Sequence, residues 1–122
     1  MSEKQQPLKD KSFKFALRIV KLYRYLTEEK KEYVLSKQLL RSGTSIGANI
    51  REAQNAQSQA DFVHKLSISQ KECDESLYWL ELLYQSDFLG QKEFDSINCD
   101  ATELLKMLRS AIITTKKKTH NS

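Results

Sequence analysis

The apolar residues of this chain recur mainly at spacings of three and four, which is the period expected of an α-helix. Four segments carry the pattern, and short polar stretches separate them. Their apolar stripes are Phe15, Ile19, Leu22 and Leu26; Leu35, Leu39, Gly43, Ile46, Gly47, Ile50 and Ala53; Phe62, Leu66, Ser69, Cys73, Ser76, Leu80 and Leu83; and Phe94, Ile97, Ala101, Leu104, Leu108 and Ala111. Four helices with short connections predict an all-α fold, an antiparallel up-down-up-down four-helix bundle.

The outer limits of the bundle follow from where the pattern begins and ends. The first helix is predicted from about Lys11 to Leu26, and the fourth from about Gln91 to Thr115. The polar, charged ends of the chain predict flexible segments at 1–9 and 116–122, around a bundle domain of 10–115.

The inner helix ends differ in how clearly local sequence signals mark them. The second helix begins either near Glu28 or only after Ser36, and the pattern does not decide between them. Ser58 and Asp61 have the spacing of a capping box, which predicts the start of the third helix. Gly90 suits the left-handed conformation that commonly follows a helix end, so we expect it to terminate that helix.

The stretch GTSIG, residues 43–47, has two possible meanings. A phosphate-binding loop of the GxxxxGK[ST] type needs a wider glycine spacing, a following lysine and a preceding buried strand, and this stretch has none of them. Gly43 and Gly47 instead lie within the apolar stripe of a helix. Each costs about 1 kcal/mol relative to alanine, which a large side chain buried against them would offset. We therefore predict a packing notch.

The first and third helices have more apolar surface than one core contact needs. The additional residues are Phe13, Ala16, Val20 and Tyr23 in the first helix, and Trp79 and Leu82 in the third. Another helix or another subunit is expected to cover them.

Composition narrows the class of protein. The 122 residues suffice for one domain, and only 3 Gly and 1 Pro interrupt the helices. No apolar run reaches the roughly 18 residues of a membrane span, and the N-terminus lacks the apolar core of a signal peptide. We expect a cytoplasmic protein without membrane contact, in which Cys73 and Cys99 are reduced; the alternative is a disulfide between them.

Positive charge is concentrated in the first half of the chain. The net charge is +4, yet residues 1–60 contain 12 Lys and Arg against 6 Asp and Glu. The candidate phosphate-binding residues are Lys11, Lys14, Arg18, Lys21, Lys37 and Arg41. They form either a non-specific surface for RNA or DNA or a solvated helix face.

Residues 38–83 carry a family resemblance. The pattern consists of Gln38, Arg41, Ser45, Ile46, Asn49, Ile50 and Glu52, followed by Phe62, Leu66 and Glu75. It closely resembles the bacterial 23S rRNA intervening-sequence proteins, also called S23. The chain departs from many relatives at Ala53, and at Lys71 and Glu72, where they have glycine or a Gly-Ser pair.

The resemblance implies a four-helix bundle that forms a homo-oligomer, a pentamer around a central axis. It also implies kinship with accessory proteins of diversity-generating retroelements, which are basic bundles that bind reverse transcriptase and nucleic acid. No enzymatic activity is implied.

The polar residues of the family pattern share one face of the second helix, opposite its apolar stripe. They are Gln38, Arg41, Ser45, Asn49 and Glu52. The face is either a ligand or nucleic-acid site centred on Arg41, or a seam between helices or subunits in which Arg41 pairs with a carboxylate such as Glu75. We favour the seam, because arginine suits planar ion pairs at interfaces.

No catalytic or metal site is predicted. Asp61 and His64 give only one approximation to the Glu-x-x-His motifs of a di-iron bundle, and Cys73 lies on the core stripe without a neighbouring base. We therefore expect a non-enzymatic protein without cofactor or metal. The leading hypothesis is an oligomeric accessory factor that binds nucleic-acid phosphates, and the alternative is a protein–protein scaffold.

Overall fold

The computed structural model describes residues 6–121, with side chains as far as Lys118. Four helices account for most of it: α1 (Gln6–Glu28), α2 (Leu35–Gln54), α3 (Gln59–Gln85) and α4 (Gln91–Asn121). Each helix packs on the next, and α4 closes on α1 through the smallest of the four contacts. The predicted four-helix bundle is confirmed.

The core is built from the predicted stripes. Its largest fully buried side chains are Phe15, Ile19, Leu26, Leu39, Ile46, Ile50, Leu66, Leu80, Leu83, Ile97, Leu104 and Leu108. The small residues of the third stripe, Ser69, Cys73 and Ser76, are equally buried. Within the part of the chain that the structure describes, no buried side-chain nitrogen or oxygen lacks a hydrogen-bond partner.

The glycine notch is confirmed where α2 crosses α1. A Cβ atom on Gly43 would lie 2.8 Å from Cγ1 of Ile19, so the isoleucine occupies the space that a side chain would need. A Cβ atom on Gly47 would lie 3.3 Å from Oγ of Ser12. The space at Gly47 is therefore occupied by Ser12 of α1, a small polar residue, rather than by a large apolar one.

Serines allow α2 and α3 to approach closely. Ser76 donates a hydrogen bond to Oγ of Ser42 at 2.9 Å, and Ser69 donates to the backbone oxygen of Ile46 at 2.8 Å. All three serines are buried, and a buried hydroxyl is tolerated only with a partner. These bonds set the register between the two helices.

Both outer helices are longer than predicted. α1 begins at Gln6 because a proline is tolerated in the first helical turn, where its missing N–H would have no partner, and because Leu8 is buried in the core. α4 continues to Asn121, since neither glycine nor proline interrupts it and lysines near a helix C-terminus interact favourably with the helix dipole.

The flexible ends were predicted at 1–9 and 116–122. Residues 6–9 and 116–121 are helical instead, and residues 1–5 and 122 lie outside the described part of the chain.

A glutamate settles where α2 begins. The carboxylate of Glu32 accepts hydrogen bonds from the backbone N–H groups of Val34 (3.1 Å), Leu35 (2.8 Å) and Ser36 (2.7 Å). Three donors that have no partner inside the helix are thereby satisfied. Burial raises the pKa of Glu32, but these donors outweigh it and hold the pKa below its usual 4.5.

The expected role of Gly90 at the end of α3 is wrong. Asp87 takes the left-handed conformation, with φ of 68°, which a short polar side chain tolerates better than most. The next N–H, of Phe88, bonds back to the oxygen of Leu83 at 2.9 Å. Gly90 stands at the start of α4, where its oxygen accepts the N–H of Phe94 at 3.0 Å.

The two cysteines are free, and their thiols differ in environment. Burial raises the pKa of Cys73 to about 12, and its thiol donates to the oxygen of Ala101 at 3.2 Å. Cys99 is exposed.

Because the thiolate is the reactive form, we expect a disulfide reagent at pH 8 to label one thiol per folded chain and two after denaturation. The Cys99→Ser variant should react only when unfolded, and rapid labelling of that folded variant would contradict the burial of Cys73.

Candidate functional site

The basic stripe of α1 is divided into two pairs of residues. Lys11 lies 2.5 Å from Glu103 of α4, and Arg18 contacts Asp100 at 2.7 Å and Glu93 at 3.3 Å. These carboxylates offset the positive charge that the sequence pattern assigned to a phosphate surface.

The other two residues of the stripe, Lys14 and Lys21, are exposed. Neither has an ion pair among the described residues. Lys21 lines a groove on the α1–α4 side of the bundle together with Arg18 and Glu93. Only half of the predicted stripe therefore has its charge compensated by a direct ion pair.

Arg41 is held in an ion-pair cluster between α2 and α3. Its guanidinium contacts Glu72 at 2.9 Å and also pairs with Glu75, which accepts a further hydrogen bond from the indole N–H of Trp79 at 3.2 Å. The hydrogen bond from Arg41 is the main cause that lowers the pKa of Glu75, and the pKa of Arg41 is correspondingly raised. The predicted pairing of Arg41 with Glu75 is confirmed.

The remaining polar residues of the family pattern form contacts within the bundle. Ser45 donates to the oxygen of Arg41 at 2.6 Å, and Asn49 donates to the oxygen of Ser45 at 2.9 Å. Glu52 pairs across the helix contact with Lys65 of α3 at 3.3 Å. The bonds of Ser45 and Asn49 lie within α2, but the ion pairs of Arg41 and Glu52 join α2 to α3 and fit a seam between these helices better than an open ligand site.

Two other candidates on α2, Lys37 and Gln38, are exposed. The structure brings neither into the Arg41 cluster, and Lys37 has no ion pair within the described part of the chain. The six candidate phosphate-binding residues therefore do not form one surface.

A basic segment outside the six predicted phosphate-binding residues lies at the end of α4. After Glu103 this helix has no acidic residue, and it carries Lys106, Arg109, Lys116, Lys117 and Lys118, all exposed. No ion pair engages them among the described residues. Because α4 continues past Thr115, the helix holds these cations at fixed spacing. The lysine run was visible in the sequence, but its helical conformation was not.

A groove lies between α3 and α4, on the side of the bundle away from the α1–α2 contact. Its volume is about 550 Å³, and Asp74, Tyr78, Glu81, Tyr84 and Phe94 are among its lining residues. The rings of Tyr84 and Phe94 stack at 4.4 Å with an interplanar angle of 10°. The groove is thus aromatic at its floor and acidic at its edge.

The described residues offer no cluster of three or more His, Cys, Asp and Glu side chains able to hold a metal ion. Asp61 caps α3 together with Ser58, whose hydroxyl accepts the N–H of Asp61 at 3.0 Å, and His64 is exposed. None of the helices from 6 to 121 is long and apolar enough to cross a membrane.

These features define an antiparallel four-helix bundle with ion-paired seams. The model of the 23S rRNA-intervening sequence protein family matches residues 4–110, and the chain belongs to that family. A crystal structure of a protein with unknown function from the S23 ribosomal protein family of Bacteroides thetaiotaomicron is 57% identical in sequence. It superposes with a TM-score of 0.88 over 89% of this chain and 97% of that chain. None of the curated proteins compared with the chain matches it.

Proposed function

We propose that this protein is a non-enzymatic, oligomeric accessory factor that binds the phosphate backbone of nucleic acid without reading its sequence. The observation that carries the proposal is the basic end of α4, where Lys106, Arg109 and the Lys116–Lys118 run follow one another with no carboxylate between them. Phosphate contacts by lysine and arginine supply most of the affinity of non-specific binding.

The binding surface differs from the one that the sequence pattern favoured. Phosphates would have to displace Glu103 from Lys11, and Asp100 and Glu93 from Arg18, whereas the α4 cations have no such competitor within the described residues. A cation that already pairs with a carboxylate gains less free energy from a phosphate contact than an unpaired cation does. The end of α4 is therefore the better candidate, and the α1 stripe is secondary.

Affinity should fall when the basic end of α4 is neutralised. The triple variant Lys116→Ala, Lys117→Ala and Lys118→Ala is expected to weaken binding to a structured RNA and to a DNA duplex alike. The slope of log K against log salt should flatten by up to about 3, since each phosphate contact contributes about 0.7 to 0.9. Fluorescence anisotropy at three salt concentrations measures both quantities.

The matched control removes three charges from the opposite end of the bundle, through Lys30→Ala, Lys37→Ala and Lys92→Ala. These residues are exposed, and the change in net charge is the same. Equal weakening by both variants would show that net charge, not the α4 end, governs binding. No binding by the unaltered protein even at low salt would overturn the proposed function.

A protein–protein scaffold is the second candidate, and one observation favours it. Phe13 and Leu17 on the outer side of α1 are 50% and 49% exposed, which is unusual for large apolar side chains so close together. A protein partner, such as the reverse transcriptase that the resemblance implies, would cover them. Its recovery at fixed stoichiometry after nuclease treatment, together with absent nucleic-acid binding, would favour this candidate over the first.

A further inference from the structure

A pocket of about 360 Å³ lies at the same end of the bundle as the basic end of α4. It forms where α2 ends, α3 begins and α4 ends, because antiparallel packing brings these three helix ends together. Its volume is at the lower end of the range typical of ligand sites. We call it the end pocket, and the lining residues that decide its chemistry are Gln54, Gln57, Ser58, Phe62, Thr115 and Lys118.

Part of the wall of the end pocket is apolar. Phe62 lies in the first turn of α3, is half-buried and packs against the hydrophobic core, and the same residue lines the pocket. Ala53 and Ala56 line the pocket as well. A flat aromatic ligand can therefore stack on the ring of Phe62 without meeting a charge.

The rest of the wall is polar. Gln54, Gln57, Ser58 and Thr115 carry amide and hydroxyl groups, which can both donate and accept hydrogen bonds. The connection before α3 is fixed by Asp61. Its Oδ2 accepts the backbone N–H of Gln57 at 3.3 Å, and its own N–H donates to the hydroxyl of Ser58 at 3.0 Å. The polar wall is thus held beside the aromatic ring.

The end pocket adjoins the lysine run of α4. Among the described lining residues, Lys118 is the only charged one, and it is the last of the exposed run Lys116–Lys118. Successive residues of a helix are rotated by about 100° and rise by about 1.5 Å, so the three lysines spread around the end of α4. A phosphate on Lys118 would lie at the pocket, and the other two lysines remain for the phosphates that follow along the strand.

We propose that the end pocket accepts one unpaired base of a single-stranded nucleic acid. The base stacks on Phe62, its polar edge faces Gln57 and Ser58, and the phosphate of the same nucleotide contacts Lys118. A nucleobase suits this wall because its faces are aromatic, whereas its edge carries hydrogen-bond donors and acceptors. The inference rests on the phosphate binding proposed above and narrows the ligand to single-stranded RNA or DNA.

Base pairing keeps a duplex out of the end pocket. Every base of a duplex is stacked and paired, so it would have to be extruded from the helix before it could enter. The bases of a single strand, a loop or an end are already accessible. Because amides and hydroxyls both donate and accept, the pocket does not require one particular base, which agrees with binding that does not read sequence.

The first experiment compares three DNA ligands by fluorescence anisotropy. They are a single strand of about 12 nucleotides, the same strand annealed to its complement, and an abasic strand of equal length that keeps the phosphates but lacks the bases. We expect the single strand to bind about tenfold more tightly than the other two, since stacking one base on an aromatic side chain contributes about fivefold to a hundredfold. Phosphate contacts alone would favour the duplex, whose charge density is higher.

The variant Phe62→Leu separates stacking from core packing. Leucine keeps most of the apolar volume against the core but has no aromatic face, so most of the preference for the single strand should be lost. The affinity for the duplex and the slope of log K against log salt should stay unchanged, because stacking releases no counterions. Tyr33→Leu is the matched control, since Tyr33 is 59% exposed in the α1–α2 connection at the opposite end of the bundle. It should leave all three affinities unchanged, and circular dichroism verifies the helical content of both variants.

The outcomes distinguish this inference from the proposed function. Equal affinity for the single strand and the abasic strand would overturn the base site and leave the phosphate contacts intact. The same conclusion would follow if Phe62→Leu kept the full preference, or if Tyr33→Leu lost it equally. No binding of any of the three ligands would overturn both proposals.

A photo-cross-linking experiment locates the base directly. A single strand that carries one iodouracil is irradiated in complex with the unaltered protein, and the cross-linked peptide is identified by mass spectrometry. We expect the tryptic peptide 52–65, which contains Gln57, Ser58 and Phe62. Cross-links confined to peptides of α1 would overturn the assignment of the base to the end pocket.

Discussion

Replacing Gly43 with valine is expected to lower the free energy of unfolding by about 3 kcal/mol, the upper part of the range for overpacked cores. Even the Cβ atom would approach Cγ1 of Ile19 to 2.8 Å and Cγ2 to 3.0 Å. Ile19 is fully buried, and its branched side chain has few alternative rotamers. The helices would therefore have to separate, which would expose part of the α1–α2 contact.

Alanine at the two glycines provides a matched comparison. Alanine stabilises a helix by about 1 kcal/mol relative to glycine. A Cβ atom on Gly47 would lie 3.3 Å from Oγ of Ser12 and 3.5 Å from its backbone oxygen, so Gly47→Ala should leave stability nearly unchanged. Gly43→Ala should lower the stability although alanine has the same advantage in helix propensity at this position. Urea denaturation followed by circular dichroism measures all three variants. Equal stability of the two alanine variants would remove the close approach of Ile19 from the explanation.

Removing the carboxylate of Glu32 is expected to lower stability by about 3 kcal/mol in the Glu32→Ala variant. Three backbone N–H groups at the start of α2 would lose their acceptor, and the N–H of Ser36 is buried, where an unsatisfied donor costs about 1 to 3 kcal/mol. Glu32→Gln keeps one acceptor oxygen and the size of the side chain. Glu32→Gln should therefore lose about half as much stability as Glu32→Ala.

The effect of Glu32 should depend on pH in a defined direction. Its pKa in the folded chain is lower than the usual 4.5, so the unfolded chain binds the proton more readily. The stabilisation is then fully present above pH 4.5 and is lost as the pH falls through the folded pKa. The stability difference between the unaltered protein and Glu32→Gln should be constant from pH 6 to 8 and shrink towards pH 3. A difference that grew on acidification would contradict the assigned hydrogen bonds.

The basic residues of α1 show why the charge pattern of one helix is not enough to predict a phosphate-binding surface. Lys11, Lys14, Arg18 and Lys21 follow one another at helical spacing, and from the sequence they are equivalent. In the bundle, Lys11 and Arg18 form ion pairs with carboxylates of α4, whereas Lys14 and Lys21 form none among the described residues. The distinction depends on which helix stands beside α1, and a periodic pattern on α1 carries no information about that.

The Arg41 cluster was partly predictable. Arginine on the polar face of α2 and an acidic residue ahead of an aromatic run in α3 suggested the pair Arg41–Glu75, which the structure confirms. The participation of Glu72 and the hydrogen bond from Trp79 were not predictable, because they depend on the height at which α3 passes α2. That height is set by the serine contacts between the two helices.

The sequence by itself determined the number of helices, their apolar faces and the notch at Gly43. Each of these follows from local periodicity, and a helix can bury its apolar stripe in few ways other than a bundle. It did not determine that Glu32 caps α2 or that Asp87 takes the left-handed conformation, because both depend on where neighbouring backbone groups stand after packing.

Only the tertiary structure decided which charges are neutralised, and hence which surfaces remain for partners. Ion pairs such as Arg18–Asp100 join residues that are distant in the chain, so their existence is a property of helix register. The exposed cations without an ion pair among the described residues, such as Lys14 and the lysines at the end of α4, can be identified only when those pairs have been assigned. The physical reason is that the apolar face of a helix can be recognised from its own sequence, whereas the compensation of its charges depends on which residues of the neighbouring helix lie beside them.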